Sequence, residues 1–158
     1  MAFAASLVFA LPEDTKQPIE IEADSVFIDE IKGLNEFRGD AEVRQGSLLL
    51  LAELIQVQTK NEEVVTVIAK GSLHEPAKYS QDQENQARFV EATATLITYD
   101  VNEGMIYLVG NAHLIQGFDS FSGGTLDYDI DNNRVLLKGS DDDTKDFSPK
   151  RVKFKIVL

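Results

Sequence analysis

An all-β fold, with antiparallel strands and a hydrophobic interior, is predicted by three features of the sequence. Short stretches alternate apolar and polar residues with the period of two expected of half-buried strands, as in Ile19-Glu20-Ile21-Glu22. Turn signals built on Gly and Asn recur too often for a βαβ arrangement. One strand–turn–strand unit is also repeated along the chain, which points to stacked or coiled β structure.

The unit is clearest at Leu96–Gly117. Ile97, Tyr99 and Val101 share one face of a first strand, and Asn102-Glu103-Gly104 makes the turn, since Asn and Gly tolerate positive φ. Met105–Val109 returns as an apolar strand, Gly110-Asn111 reads as a break, and Ala112–Gln116 reads as a third strand. At an offset of 29, Tyr128–Gly139 repeats Tyr99–Gly110, so that Leu126, Tyr128 and Ile130 take the places of Ile97, Tyr99 and Val101. At an offset of 71, Phe37–Gly46 matches Leu108–Gly117, both ending in Gln-Gly, and Val26 and Ile28 fall on Ile97 and Tyr99. A fainter copy holds Ile55 and Val57, then a turn at Lys60–Glu63 and a strand at Val64–Lys70.

From the N-terminus, Met1–Ala10 has the apolar run and small final residue of a secretory signal without its basic leading region. We expect 1–10 to be a signal remnant, 11–17 a linker, and 18–158 a single domain. Ile19–Glu22 and Ala23–Ile31 read as strands, Lys32-Gly33 as a turn, and Leu34–Arg38 as a strand ending at Gly39. Ser47–Gln58 is rich in Leu, Ala and Glu, which favour helix; we assign it to strand because Gly46 occupies the position of Gly117. Pro76 keeps its neighbourhood out of a central strand. Ala77–Ser80 is expected to be a short strand carrying Tyr79, Gln81–Gln86 a polar loop, and Arg88–Glu91 a lead-in to the central unit. Gly123-Gly124 signals a bulge, and 140–149 a solvated loop. Lys150–Leu158 closes the chain as a strand with Val152, Phe154, Ile156 and Leu158 on one face. The total is about sixteen short strands and no helix.

Composition narrows the function. A formal net charge of −12 argues against nucleic acid and against an anionic membrane surface as partners. The absence of cysteine removes disulfides, thiolate metal sites and cysteine nucleophiles. Neither His74 nor His113 is accompanied by the further ligands a zinc site needs. Asp127, Asp129 and Asp131 resemble the start of a calcium loop, but the sixth position lacks Gly and the twelfth is Lys138. No nucleophile triad, P-loop or dinucleotide fingerprint is present. No catalytic residue, metal or cofactor is therefore assigned, and the chain is not expected to be an enzyme. What remains is an apolar stripe of Ile19, Ile21, Val26, Ile28, Ile55, Val57, Ile97, Tyr99, Val101, Leu126, Tyr128 and Ile130. It serves either as ordinary core or as the lining of a groove for acyl chains, and periodicity does not separate the two.

Several ordered motifs resemble the family of periplasmic lipopolysaccharide-transport bridge proteins (LptA, OstA-like). They are Pro18–Asp24, Phe37–Val43, Gln45-Gly46-Ser47 with Ala52-Glu53, Pro76–Tyr79, Leu108–Leu114 and Arg151-Val152, and together they run from Pro18 to Leu158. The resemblance implies a folded-over β-jellyroll, two antiparallel sheets in a V around a hydrophobic interior. It implies a periplasmic protein that shields the acyl chains of lipopolysaccharide. It also implies joining to inner-membrane and outer-membrane transport components through edge strands, with head-to-tail self-association. By this resemblance Tyr79 joins Ile19, Ile21, Ile28, Tyr99 and Val101 as a lipid contact. Two other readings stand beside it: a structural β-adaptor that bridges two membrane complexes without lipid, and a carbohydrate-binding or hydrolytic jellyroll.

Overall fold

A computed structural model describes residues 17–82, 89–129, 132, 134–139 and 151–157. Among them are twelve strands and no helix. In chain order they are β1 (Glu20–Glu22), β2 (Ser25–Asp29), β3 (Leu34–Gln45), β4 (Leu48–Lys60), β5 (Glu63–Lys70) and β6 (Ala77–Asp82). There follow β7 (Phe89–Ala94), β8 (Leu96–Asp100), β9 (Met105–Gln116), β10 (Asp119–Asp129), β11 (Arg134–Lys138) and β12 (Lys153–Lys155). Every pairing is antiparallel.

Four long strands, β3, β4, β9 and β10, each run through both halves of the fold. On one side of the crease their ends join β2, β5, β8 and β11 into a half-sheet, and on the other they join β1, β6, β7 and β12. Each half-sheet thus has eight strand segments, which accounts for the sixteen short strands read from the sequence. Gly110-Asn111, which reads as a break, is a bend inside β9; Gly39-Asp40 is the same bend inside β3. All four residues have positive φ (84° and 49°, 84° and 42°). Gly suits that conformation, and Asn and Asp tolerate it better than other side chains. Their carbonyls stay paired, with Asp24 N donating to Gly39 O and Thr95 N to Gly110 O, each at 3.0 Å. The register shift between Gly123 and Thr125 is the bulge expected at Gly123-Gly124.

The repeat is more complete than the sequence motifs suggest. At an offset of 71, β2 coincides with β8 and β3 with β9, residue for residue. The pairings of β1–β6 among themselves recur among β7–β12, strand for strand. Only two pairings, β5 with β8 and β6 with β7, join the halves of this duplication.

The segment with helical composition is strand β4. Its inward residues are Leu48, Leu50 and Ala52, then Ile55 and Val57. Leu54 and Ile55 are both buried, so the inward side changes parity where the strand crosses the crease. That skip of three mimics a helical period. At the crease the facing residues are small. Ala41 pairs with Ala52, Ala77 with Ala94, and Gly123 with Ala112, and these alanines are buried.

Other expectations need adjustment. Gln81 and Asp82 belong to β6 rather than to a loop, and Phe89–Ala94 is a full strand because it bridges β6 and β9. The closing strand is shorter than expected: Lys153–Lys155 pairs with Ser120–Ser122 of β10. The expected signal remnant, most of the linker, residues 83–88, Ile130, the acidic loop 140–149, Lys150 and Leu158 lie outside the described residues.

Candidate functional site: the inner face

The inner face of the fold is a set of rows in which apolar side chains stand side by side across successive strands. Val26, Phe37, Ile55, Ala69, Ile97, Leu108, Leu126 and Leu137 form one row. Ile28, Asn35, Val57, Val67, Tyr99, Ile106, Tyr128 and Val135 form the next, nearer the mouth of the same half-sheet. Eight of the predicted stripe residues fall on these two rows, which vindicates the period-two reading of which side faces inward. Val101, just beyond β8, is partly buried against the same core.

The opposite half-sheet contributes Ile21, Val43, Leu50, Tyr79, Ala92, Leu114, Phe121 and Phe154 as one row. Ile19 packs beside it. Alternation placed Ile19 and Ile21 here, the family resemblance added Tyr79, and the remaining row residues were not assigned to the site. The signal was present: Val43 and Leu114 are equivalent positions of the 71-residue repeat, inward by the alternation already visible in Phe37–Gly46. Ile130 cannot be placed, since it lies outside the described residues.

Exposure grades along the rows. Ile55, Leu108 and Leu126 in the middle are at most 1% exposed, whereas Val26 and Ile28 at the β2 end are 55% and 47% exposed. The centre is packed and the end is open. Four strands, β1, β2, β11 and β12, have one paired side each among the described residues, so both ends of the fold present free strand edges.

Polar groups line the mouth of the second half-sheet. Gln45 and Gln81 are buried, and Gln116 lies across Val90 from Gln81. The Tyr79 hydroxyl donates to Gln81 Oε1. Gln45 Nε2 donates to Gln17 O at 3.3 Å, and Gln45 Oε1 is buried with no hydrogen-bond partner among the described residues. Across the interior, Tyr128 of one half-sheet is hydrogen-bonded by Gln116 of the other; burial raises the Tyr128 pKa, the Gln116 bond opposes that rise, and Asp129 adds to it. Asp129 points outward, where Arg134 and Asn132 hold its carboxyl below the ordinary value. It thus clamps the turn through Asn132 and Arg134.

The comparisons with known proteins agree with this architecture. Residues 20–134 match the family described as LptA/(LptD N-terminal domain) LPS transport protein. The lipopolysaccharide export system protein LptH of Pseudomonas aeruginosa is 33% identical over 135 residues, covering 85% of this chain and 75% of that protein. LptA of Escherichia coli K12 is 30% identical over 133 residues, covering 84% of this chain and 71% of that protein. The crystal structure of P. aeruginosa LptH, described as the LptA-homologous periplasmic component of the lipopolysaccharide transport device, superposes with a TM-score of 0.77 at 29% identity. The superposition covers 93% of this chain and 100% of that one. By its rows, its crease and its sequence, the chain belongs to the LptA/LptD N-terminal-domain family of lipopolysaccharide transport proteins.

Proposed function

We propose that this protein acts in the periplasm as a lipopolysaccharide carrier, with its two half-sheets parting to hold acyl chains. We further propose that its edge strands bridge inner-membrane and outer-membrane transport components. The observation that carries this reading is the graded inner face: apolar along its rows except at Asn35, packed at the centre, and open at Val26 and Ile28. Shielding about ten methylenes of one acyl chain from water is worth about 8 kcal/mol. A lipid with several chains therefore favours a long trough over a small pocket. The amide groups of Gln45, Gln81 and Gln116 at the mouth suit the polar part of such an amphiphile, since a buried amide is stabilised by a hydrogen-bond partner. The chain's acidity leaves lipid phosphates in water.

The second reading is an adaptor without cargo, favoured by the complete enclosure of Ile55, Leu108 and Leu126. A photo-crosslinking residue at Ile28 and another at Tyr99 separate the two. A carrier whose half-sheets part labels lipopolysaccharide from both positions, although Tyr99 is buried at rest. Failure of both folded variants to label lipid favours the adaptor.

A further inference from the structure

We propose that the chain's internal junction is the template for its junction with a second copy, which fixes the register and the charge pairs of head-to-tail association. The inference rests on the edge-strand bridging proposed above and on the head-to-tail self-association that the family resemblance implies, and it specifies the chemistry of that joint. Inside the chain, β5 and β6 of the first repeat pair with β8 and β7 of the second. Their counterparts at the chain's two ends, β11 and β12 at one and β2 and β1 at the other, have free edges among the described residues.

The register follows from the repeat. Leu50 faces Tyr79 and its counterpart Phe121 faces Phe154, so Phe154 takes the place of Tyr79. Tyr79 faces Ala92, whose counterpart at an offset of 71 is Ile21. Phe154 therefore meets Ile21 of the next copy, Lys153 meets Glu22, and Lys155 meets Glu20. The internal junction carries an ion pair between Lys78 Nζ and Glu91 Oε1 at 3.4 Å. The residues in those two places at the joint are Lys153 and Glu20, again a lysine and a glutamate.

The other half-sheet gives the same result. Val57 faces Val67 and Tyr128 faces Val135, so Val135 takes the place of Val67 and meets Ile28 of the next copy, as Val67 meets Tyr99. Leu136 then meets Phe27, and Arg134 meets Asp29. Phe27, Leu136 and Phe154 are 56%, 52% and 66% exposed in the single chain. Each acquires an apolar partner at the joint. One end thus offers Arg134, Lys153 and Lys155, and the other Glu20, Glu22 and Asp29. This polarity disfavours like ends, because like charges directly opposite across strands are destabilising, and it carries each inner row into the next molecule.

The test uses two charge-reversed variants of the full chain, E20K/E22K and K153E/K155E, examined by sedimentation at several concentrations. Each variant alone is expected to associate about tenfold or more weakly than the natural chain, the effect of a few opposed charge pairs. Their equimolar mixture is expected to regain association, with acidic and basic ends alternating, and more salt is expected to weaken all of it. The proposal is overturned if either variant associates as the natural chain does, if the mixture of folded variants stays monomeric, or if the natural chain never associates. The chain has no cysteines, so a mixture of Ile21→Cys and Phe154→Cys chains reports register independently. Oxidation is expected to link that mixture more than one of Ile19→Cys with Phe154→Cys, and the reverse order overturns the register. Lipid capture by the folded monomeric variants is read separately: capture without association upholds the carrier reading, and association without capture opposes it while leaving the joint intact.

Discussion

Gly39 and Gly110 hold the bends of β3 and β9, both with φ of 84°. A Cβ at Gly39 meets the Asp24 carboxylate, and one at Gly110 meets the Thr95 hydroxyl. Gly39→Ala and Gly110→Ala are each expected to cost about 1–3 kcal/mol, from the strained conformation alone or with the clash, measured by urea unfolding. Asp129 gives a prediction in pH. Its carboxyl is held low by the Arg134 guanidinium, then by Asn132, so the folded turn prefers the ionised form. That contribution is present above the ordinary value of 3.8 and is lost as the pH falls through the lower folded value. Protection of the Asn132 amide, which donates to Asp129 Oδ1, is expected to fall on acidification in the natural chain. In Asp129→Asn it is expected to be insensitive over the same range, as read by NMR.

At the scale of the strand, position along a row matters more than residue type. Ile55 in β4 and Val26 in β2 share a row, yet one is enclosed and the other is half exposed. Ile55→Ala is expected to cost about 2–5 kcal/mol in unfolding free energy, the usual range for emptying a packed core site. Val26→Ala is expected to change stability by less than about 0.5 kcal/mol while reducing lipid capture at the open end. Equal destabilisation by the two substitutions, measured by denaturant titration, contradicts the graded face. The strand-level reading of the sequence succeeded where alternation was regular, as in β2 and β8, and split β9 in two at the Gly110-Asn111 bend. It misjudged the ends of β6 and β7, where Gln81 is a polar residue on the inward face beside Tyr79 and Glu91 alternates with the inward Val90 and Ala92.

For the whole molecule, the crease joins two half-sheets, and Tyr128 and Gln116 span the interior between them. A short thiol-to-thiol crosslinker joining Tyr128→Cys to Gln116→Cys is expected to leave cooperative unfolding intact and lower lipid capture several-fold. Undiminished capture by the crosslinked protein shows that lipid enters without separation of the halves. Free edges are an aggregation hazard in a sheet of this size, and under the proposed joint their opposite charges would give association a direction.

The sequence by itself determined the all-β class, the inward side of most strands and part of the inner stripe, because alternation and turn chemistry are local properties. It also carried the family motifs. Tertiary structure alone decided that Gly39-Asp40 and Gly110-Asn111 bend strands rather than end them, since a positive φ says nothing about which partners the chain keeps beyond it. It alone decided that the middle of a row is sealed while Val26 stands open, because burial depends on what the facing half-sheet brings and not on the residue itself. The pairing of β5 with β8 and of β6 with β7 likewise joins segments distant in sequence, and no local pattern encodes that closure.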